Sequence, residues 1–352
     1  MEMVMISLAE ALAACDNDYL GHVAEFCGRT GLDWHQPTPP SAAAGTRLSV
    51  VIPARNNAYS LVSVLDALAA QDTFGTVEVI VIDDASTDGT PVIVGEHPAV
   101  DVAYRLSHRV GAAAARNVGT HLTQAQTVVY LDADMVLAGH VLADIGARAH
   151  PELVLVGFRH NVAYREVPDL GAGYLRAEVP AGEPDLAADH RVRWLAPAGV
   201  PMFYSGQIYE QSFTGRPLDH TREFLDLGNG AMYHDWDLPR MVVTALVAVP
   251  RAAVLDVGGF DAGFDADGWG TEDTHLGAAL IAAGCKVVPL RQARGFHIDP
   301  PDAEAQWKAK FATAASRIDY YRRLLKEPAP SGRAGDLTTR AERLLCAAEQ
   351  LR

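Results

Sequence analysis

The two carboxylates Asp132 and Asp134 are the residues in this sequence whose types and spacing best suit a metal ion. They directly follow the apolar run 127–131, which predicts a buried strand. Carboxylates this close repel each other unless a cation lies between them, and a hard divalent ion on such oxygens can neutralise a diphosphate. An isolated Asp-Ala-Asp can also be a turn whose side chains accept backbone N–H bonds. The neighbouring motifs therefore decide between a metal site and a turn.

A second pair of acids, Asp83 and Asp84, follows the apolar run 77–82. Carboxylates at this place can accept hydrogen bonds from a uracil N3–H or a ribose hydroxyl, which favours a nucleotide site. The alternative is a set of turns and caps, in which Thr87 or Asp88 caps the next helix. Both interpretations are compatible, with Asp88 capping the helix and one of the paired acids binding the nucleotide.

A basic residue and a histidine are further candidates for the same site. Arg116 lies in the small-residue segment 111–119, which suits a helix close to a sheet or a ligand. Its guanidinium could bind phosphate or stack on a base, with a surface salt bridge as the alternative. His297 follows the last predicted strand, 286–290, and could hold a metal together with Asp134. A lone histidine is more often an ordinary polar residue, so this assignment depends on the other motifs.

The segment 268–273, Gly-Trp-Gly-Thr-Glu-Asp, opens a predicted helix and combines an indole with two acids. The glycines beside Trp269 allow the backbone and the indole to close over a sugar ring. Because the helix dipole stabilises an anion in the first turn, we expect a lowered pKa for Asp273, which keeps it ionised near neutral pH. Such an acid can accept the proton of an attacking hydroxyl. A plain N-terminal cap is the alternative.

These side chains need a scaffold that brings their segments together, and the apolar runs predict one. Runs typical of buried strands alternate with predicted helices: strands at 48–53, 77–83, 100–106 and 127–131, helices at 60–70, from 90 and at 111–123. Continuous Val/Ile runs separated by helices are typical of a mainly parallel sheet covered on both faces. Ligands bind at the carboxyl ends of such strands, so the polar clusters should meet there. The predicted fold class is α/β.

The pattern divides the chain into three parts. Residues 1–46 are predicted to be an amphipathic helical extension that ends in a Pro/Ala-rich linker. Residues 47–300 form the predicted catalytic domain, with a nucleotide-binding half at 47–135 and an acceptor-binding and catalytic half at 136–300. Residues 301–352 are predicted to be a helical extension.

The stretch 159–240 is rich in Gly, Pro, aromatic and acidic residues with weak periodicity, and it is interpreted as loops that bind an acceptor. Acids in this stretch and shortly after it would suit a cationic acceptor: Asp219, Glu223, Asp226, Asp235, Asp237, Asp265 and Asp267. The alternative for each of these residues is an ordinary solvated acid.

The composition limits the partners of the protein. The 352 residues carry a formal net charge of −15, and an acidic surface repels nucleic acid and anionic membranes. No segment approaches the roughly 18–20 uninterrupted apolar residues of a membrane span, and the N-terminus lacks the basic region of a signal peptide. The four cysteines form no CxxC pair, which favours reduced thiols. We therefore expect a soluble, cytoplasmic protein that binds neither nucleic acid nor membrane.

The motifs occur in the order and setting of a known family. The segments VVIPARNN, VIDDASTDGT, GAAAARNVG, LDADM, GGFDAGFDADGWGTEDTHL and GFHID resemble those of inverting glycosyltransferases of family two, which have the GT-A fold. The resemblance covers residues 47–300, and GWGTED is also similar to a segment of galactosyltransferases and chondroitin-type polymerases. It implies a Rossmann-like GT-A fold, a nucleoside-diphosphate sugar as co-substrate, and Mg²⁺ or Mn²⁺.

The resemblance also implies roles for individual residues. Donor binding would fall to Pro53, Arg55, Asn57, Asp83, Asp84, Arg116, Asp132 and Trp269. Within that set, Asp83 and Asp84 would contact uracil or ribose. Asp134 and His297 would hold the metal, and Glu272 would contact sugar or acceptor. Asp273 would be the general base of a single displacement that inverts the anomeric centre.

The donor sugar and the acceptor are open at this point. Related enzymes often carry an asparagine in the strand before GGFD, where this chain has TALVAVP at 244–250, so the resemblance does not extend to that contact. Size and motif set are similar to those of validoxylamine-type glucosyltransferases, which implies glucose transfer from UDP-glucose to a hydroxyl of a small acceptor such as an aminocyclitol in antibiotic biosynthesis. A polysaccharide- or glycan-extending enzyme is the alternative.

Two other classes are less favoured. A nucleotidyltransferase would carry a Gly-rich basic loop after its first strand, where this chain has Pro-Ala-Arg-Asn-Asn at 53–57. A non-catalytic sugar-nucleotide-binding subunit would not need the intact set of acids and histidine.

Overall fold

The computed structural model describes residues 6–15, 17–39, 41, 45–72, 75–167, 176–189, 194–195, 200–201, 238–267 and 270–352. Within this part of the chain, a central sheet is covered by helices on both faces. Successive residues of the first strand show this, because Val50 and Ile52 belong to one buried apolar cluster and Val51 to another. Among the described helices, none is long and apolar enough to cross a membrane.

Nine described strands form the central sheet, and four short strands form two separate ribbons. In chain order they are β1 Arg47–Ala54, β2 Thr76–Asp83, β3 Val102–Arg105, β4 Thr127–Leu131, β5 Met135–Leu137, β6 Leu153–Ala163, β7 Glu166–Val167, β8 Arg176–Ala177, β9 Trp194–Leu195, β10 Val200–Pro201, β11 Leu246–Pro250, β12 Lys286–Asp299 and β13 Glu349–Gln350. The ribbons pair β7 with β8 and β9 with β10.

Helices connect most of these strands. The described α-helices are α1 Leu8–Ala14, α2 Leu20–Thr30, α3 Leu61–Ala69, α4 Thr90–Glu96, α5 Ala112–Leu122, α6 Val141–Arg148, α7 Arg251–Asp256, α8 Glu272–Ala282, α9 Ala303–Ala312, α10 Ala314–Leu324 and α11 Ala334–Leu345. The first three strand–helix units agree with the pattern of apolar runs, which confirms the α/β class.

The sheet is mainly parallel. Its order is β13-β3-β2-β1-β4-β11-β6-β12-β5. Six of these nine strands run in one direction, and β5, β11 and β13 run in the other. The carboxyl ends of β1, β2 and β4 therefore lie side by side, as expected for a ligand site at that edge.

Two sequence predictions fail in the second half of the sheet. The strand expected at 286–290 continues as β12 to Asp299, because it pairs with β6 as far as Ala163 after a register shift between Pro289 and Arg294. For the same reason residues 159–163, expected to be loop, are the last part of β6. The backbone pairing between two distant segments compensates for their weak local pattern.

Both terminal extensions pack against the sheet. The Asn17 amide donates to Val287 O at 2.9 Å and accepts from Val287 N–H at 2.8 Å. At the other end of the chain, β13 pairs with β3 in antiparallel fashion. Helices α9 to α11 confirm the mainly helical pattern expected after residue 301, with β13 as an unforeseen edge strand.

Candidate active site

The turn after β4 and the end of β12 bring three predicted site residues together. Asp132 and Asp134 lie in the turn between β4 and β5. Strand β12 pairs with β5 so that His297 lies opposite Met135, and the Ile298 N–H donates to Asp134 O at 2.8 Å. Sheet pairing thus holds the imidazole beside the carboxylates, although the two segments are far apart in sequence.

Asp132, Asp134 and His297 form a cluster with ligand chemistry for a divalent cation. One ligand atom of each residue lies within 4.8 Å of the others. His297 Nε2 lies 3.2 Å from Asp134 Oδ1, and the Tyr59 hydroxyl donates to Asp134 Oδ2 at 3.1 Å. The buried Oδ1 has no hydrogen-bond partner within the described ranges, and burial raises the pKa of Asp134 above its ordinary value. A buried carboxylate oxygen without a hydrogen bond, 3.2 Å from an imidazole nitrogen, fits Mg²⁺ or Mn²⁺.

Asn161 on β6 supports the imidazole from the other side. Its Nδ2 lies 3.3 Å from His297 Nδ1 and donates to Asp299 Oδ1 at 3.0 Å. A metal ion at Nε2 requires the proton of His297 on Nδ1, and an amide N–H cannot accept that proton, so binding of an ion would replace this contact. Neither Tyr59 nor Asn161 was found by sequence reasoning, since each contact depends on the pairing of distant segments.

Arg116 on α5 joins the Asp132 turn to the start of α8. Its guanidinium is 4% exposed and pairs with Asp132 Oδ1 at 2.9 Å and with Glu272 Oε1 at 3.1 Å. Burial opposes the charge, but the carboxylates of Asp132 and Glu272 raise the pKa of Arg116, so it stays cationic. The two ion pairs thus connect two site segments through a buried guanidinium, and the alternative of a surface salt bridge is wrong.

Asp273 lies in the first turn of α8 and is 9% exposed. Its Oδ1 accepts the Thr274 N–H at 2.7 Å. The expected lowering of its pKa is wrong, because burial, followed by the charge of Glu272, raises the pKa of Asp273 to about 6. Desolvation acts on the full carboxylate charge and outweighs the helix dipole, which is a partial charge. Most of this carboxyl is still ionised at neutral pH, as a base requires.

Lys310 on α9 is a charged neighbour of Asp273 that no sequence motif indicated. Burial lowers the pKa of its ammonium to about 8, while the charge of Asp273 acts in the opposite direction. A Cβ at Gly270 would lie only 2.9 Å from Lys310 Cε, and Gly270 has a φ of 111°. Glycine at this position therefore leaves room for the lysine next to the acids of α8.

The two acids at the end of β2 accept hydrogen bonds from backbone N–H groups of the protein. Asp84 accepts the Val110 N–H at 2.6 Å and the Gly111 N–H at 3.0 Å, one on each carboxylate oxygen. Asp83 accepts the Ser86 N–H at 3.3 Å, and burial raises the pKa of Asp83. Both acids lie at the expected edge of the sheet, and contact with a nucleotide remains a prediction for them.

The residues after β1 form a braced loop next to this pair. Pro53 lies near the end of β1, and Arg55 Nη1 donates to Asp84 O at 2.6 Å. Asn57 Oδ1 accepts the Arg55 N–H at 2.7 Å. The N-cap residue of α4 is Gly89, which has no side-chain cap, and Asp88 just before it accepts the Thr90 N–H at 3.0 Å. The loop is thus preformed, and its contacts with a donor stay predictions.

Asp265 has a role that the sequence did not suggest. Its carboxylate accepts the N–H groups of Ala113 at 3.2 Å and Ala114 at 3.1 Å, at the start of α5. A Cβ at Gly111, which has a φ of 99°, would lie 2.1 Å from Asp265 Cγ. Burial raises the pKa of Asp265 to about 6. This acid holds the helix that carries Arg116.

Several predicted residues lie outside the described part of the chain. These are Trp269 and the loop acids Asp219, Glu223, Asp226, Asp235 and Asp237, together with the side chain of Asp267.

One protein family and several known proteins are similar in sequence to this chain. Residues 49–163 match Glycosyl transferase family 2. A validoxylamine A glucosyltransferase from Streptomyces hygroscopicus subsp. jinggangensis (strain 5008) is 33% identical over 257 residues, which cover 70% of this chain and 54% of the relative. A chondroitin synthase from Pasteurella multocida (strain Pm70) is 25% identical over 297 residues, which cover 79% of this chain and 28% of the relative. The chain spans about half the length of the validoxylamine A glucosyltransferases it matches.

A solved structure shares the fold. The mannosyltransferase from Pyrobaculum calidifontis in complex with GDP-Man and Mn²⁺ superposes with a TM-score of 0.51 at 19% identity, covering 97% of this chain and 86% of that chain. At this identity the similarity concerns the fold, and it confirms the GT-A fold that the motifs implied. Residues 49–163, which include the Asp132–Asp134 turn, thus match Glycosyl transferase family 2 in a chain with a GT-A fold.

Proposed function

We propose that this protein is a metal-dependent, inverting glycosyltransferase that moves a hexose from a nucleoside-diphosphate donor to a hydroxyl of a small acceptor. The observation that carries the proposal is the placement of Asp134 and His297 3.2 Å apart at the carboxyl edge of the sheet. Arg116 links this cluster, through Asp132 and Glu272, to the acidic first turn of α8. A cation-binding cluster and a separate base are the two parts that such a transfer needs.

The proposed reaction is a single displacement. Asp273 accepts the proton of the acceptor hydroxyl while that oxygen forms a bond to the anomeric carbon, on the face opposite the leaving group. The bond from the anomeric carbon to the diphosphate oxygen breaks, and its electron pair leaves with the nucleoside diphosphate. Mg²⁺ or Mn²⁺ held by Asp134 and His297 would supply charge neutralisation to this leaving group. Asp132 faces the donor, and Arg116 keeps it in place.

The relatives support a more specific donor and acceptor. Two matched proteins are named validoxylamine A glucosyltransferase, which favours glucose from UDP-glucose and an aminocyclitol acceptor of antibiotic biosynthesis. An aminocyclitol is cationic, which suits a chain with a formal net charge of −15. The chondroitin synthase relative favours a glycan-extending enzyme as the second candidate.

An acceptor screen tests this proposal. The purified protein is incubated with UDP-glucose or related donors, Mg²⁺ or Mn²⁺, and aminocyclitols or oligosaccharides, and products are read by mass spectrometry. We expect UDP release with a product one hexose heavier than an aminocyclitol. Elongated oligosaccharides would favour the second candidate, pyrophosphate release would indicate a nucleotidyltransferase, and the absence of metal-dependent UDP release with every acceptor would favour a non-catalytic sugar-nucleotide-binding subunit.

The base assignment has its own test. Asp273→Asn should lower kcat by about 10²–10⁴-fold, because general base catalysis contributes that much, and should spare donor binding measured by titration with UDP-glucose. Asp319→Asn on the exposed side of α10 is the matched control and should retain full turnover. Near-normal turnover of Asp273→Asn would remove Asp273 from the mechanism without touching the metal assignment.

A further inference from the structure

A second cluster of metal-ligand side chains lies at the opposite edge of the sheet. Within the described ranges, one ligand atom each of His22, Glu25 and His150 lies within 4.8 Å of the others. Two of these residues come from the N-terminal extension and the third comes from the turn before β6. We propose that His22, Glu25 and His150 form a binding site for a divalent transition-metal ion of the Zn²⁺ type, which fastens α2 to the sheet.

The helix α2 presents two of the three ligands on one face. His22 and Glu25 are three residues apart in Leu20–Thr30, and residues at this spacing are neighbours on a helix surface. The helix ends in Gly31, whose N–H donates to Cys27 O at 2.9 Å in a left-handed cap. The two side chains therefore start from a regular backbone and need only rotamer changes to converge on an ion.

The turn that carries His150 is fixed at both ends. The Leu153 N–H donates to His150 O at 3.1 Å, and the Lys286 N–H donates to Glu152 O at 2.7 Å, which ties the turn to the start of β12. The imidazole rings of His22 and His150 lie 4.5 Å apart between centroids. The third ligand therefore comes from a part of the chain that cannot move away from α2 without loss of sheet contacts.

Packing beneath the cluster holds α2 and the end of α6 together. Buried Arg148, at the end of α6, stacks at 4.6 Å on the Phe26 ring of α2 and donates to Trp34 O at 2.9 Å. Arg29 of α2 donates to Ala147 O at 3.4 Å. Because this packing fixes α2 against the turn that carries His150, little conformational entropy is lost when an ion binds.

The donor set favours Zn²⁺ over Mg²⁺. Two imidazole nitrogens and one carboxylate oxygen suit Zn²⁺, whereas Mg²⁺ prefers oxygen ligands in an octahedral shell. Glu152 could supply a fourth ligand, because its Oε2 lies 3.3 Å from His22 Nε2. His150 Nδ1 accepts the Glu152 N–H at 3.2 Å, so an ion at Nε2 requires the other tautomer and replaces this contact.

This site is independent of the cluster proposed for catalysis. His150 and Glu152 precede β6, whereas Asp132 and Asp134 follow β4, and the two strands run in the same direction. The amino-terminal and carboxyl-terminal edges of the sheet thus hold different ligand chemistry. The amino-terminal site would act on the stability of the N-terminal extension and not on the sugar donor.

Zinc titration of the full chain tests the proposal. Metal-stripped protein is titrated with Zn²⁺ by calorimetry in excess Mg²⁺, and Co²⁺ absorption reports the coordination geometry. We expect one site whose affinity falls at least about 100-fold in His22→Gln and in His150→Gln, because even supporting residues of metal sites contribute about 10–100-fold. His108→Gln, at an exposed histidine outside the cluster, is the matched control and should bind like the unaltered protein. His297→Gln should also retain this site.

Thermal unfolding gives a second reading that does not depend on the variants. Zn²⁺ at about one hundred times its Kd should raise the Tm of the unaltered protein by about 3–6 °C, and a chelator should reverse the shift. Equal Zn²⁺ affinity in His22→Gln, His150→Gln and His108→Gln would overturn the proposal. A Tm that does not respond to Zn²⁺ in the unaltered protein would overturn it as well.

Discussion

The loops after β2 and β4 each carry two acids at the same edge of the sheet, yet they use them differently. After β2, both oxygens of Asp84 accept backbone N–H groups, from Val110 and Gly111. After β4, the buried Oδ1 of Asp134 has no hydrogen-bond partner among the described residues. The Asp84 carboxylate binds backbone N–H groups of the fold, whereas Asp134 keeps one carboxylate oxygen without a hydrogen bond, and that oxygen can bind a cation. Position after a parallel strand indicates where a ligand binds, while hydrogen bonding distinguishes the acid that can bind it.

The largest effect is expected at the second loop. Asp134→Asn should lower kcat by about 10³-fold, because the leaving diphosphate loses its charge neutralisation. The same change removes a buried carboxylate, so the Tm of the metal-free protein should stay equal or rise. UDP release and thermal unfolding measure the two effects. A variant with a much lower Tm would show that Asp134 serves the fold, and the contrast between the loops would disappear.

Arg116→Met tests how the second loop is held. The change leaves the buried Glu272 and the partly exposed Asp132 without their cation, and the free energy of unfolding should fall by about 3 kcal/mol, mainly through Glu272. Arg322→Met removes an exposed ion pair with Asp319 and is the control, with a loss of about 0.5 kcal/mol or less. Urea unfolding compares them. Equal losses would mean that the buried bridge does not position the loop.

Asp84→Ala should lower the stability of the protein, whereas Asp134→Asn should lower kcat without a loss of stability. The change leaves the N–H groups of Val110 and Gly111 without acceptors, and the free energy of unfolding should fall by about 1–3 kcal/mol. Asp84→Asn keeps one carbonyl acceptor and should lie between Asp84→Ala and the unaltered protein. If neither variant loses stability, the first acid pair is not a structural brace and the two loops are equivalent.

The smallest effect concerns the pH dependence of the base. The reaction needs ionised Asp273, whose pKa is raised to about 6, so kcat/KM should rise as pH increases through about 6 and level off above it. Lys310→Met removes a positive charge that lowers the pKa of Asp273, and should move this acid limb upward by about 0.5–1 pH unit. Lys308→Met, at an exposed position of the same helix, should leave the limb in place. If the acid limb of the pH profile does not move in Lys310→Met, Lys310 does not affect the pKa of Asp273.

The regular part of the fold could be predicted because its signals are local. Strands β1, β2 and β4 are rich in Val and Ile and largely buried, and the acids at the ends of β2 and β4 lie where expected. The length of β12 could not be predicted in the same way. Its second half, which carries His297, depends on pairing with β6 and β5 and has no local pattern of its own.

The electrostatics of the site could not be predicted from the sequence either. The helix dipole at Asp273 is a local property and was foreseen, but burial is a tertiary property and it reverses the direction of the pKa shift. Lys310 reaches Asp273 from a helix that no motif marked, and Asp265, although it lies in a quoted motif, binds the start of α5, about 150 residues earlier in the chain. Such contacts depend on the folded chain and have no local signal in the sequence.

Strand β5 is three residues long and is the last strand in the order of the sheet, paired with β12. Short strands at the margin of a sheet open locally more easily than central ones. The turn that holds Asp134 is attached to this strand, so separation of β5 from β12 would pull the carboxylate away from His297. If Asp134 and His297 bind a cation as proposed, its release would be a local unfolding event, and amide exchange at Val136 and Phe296 would measure the rate of that opening.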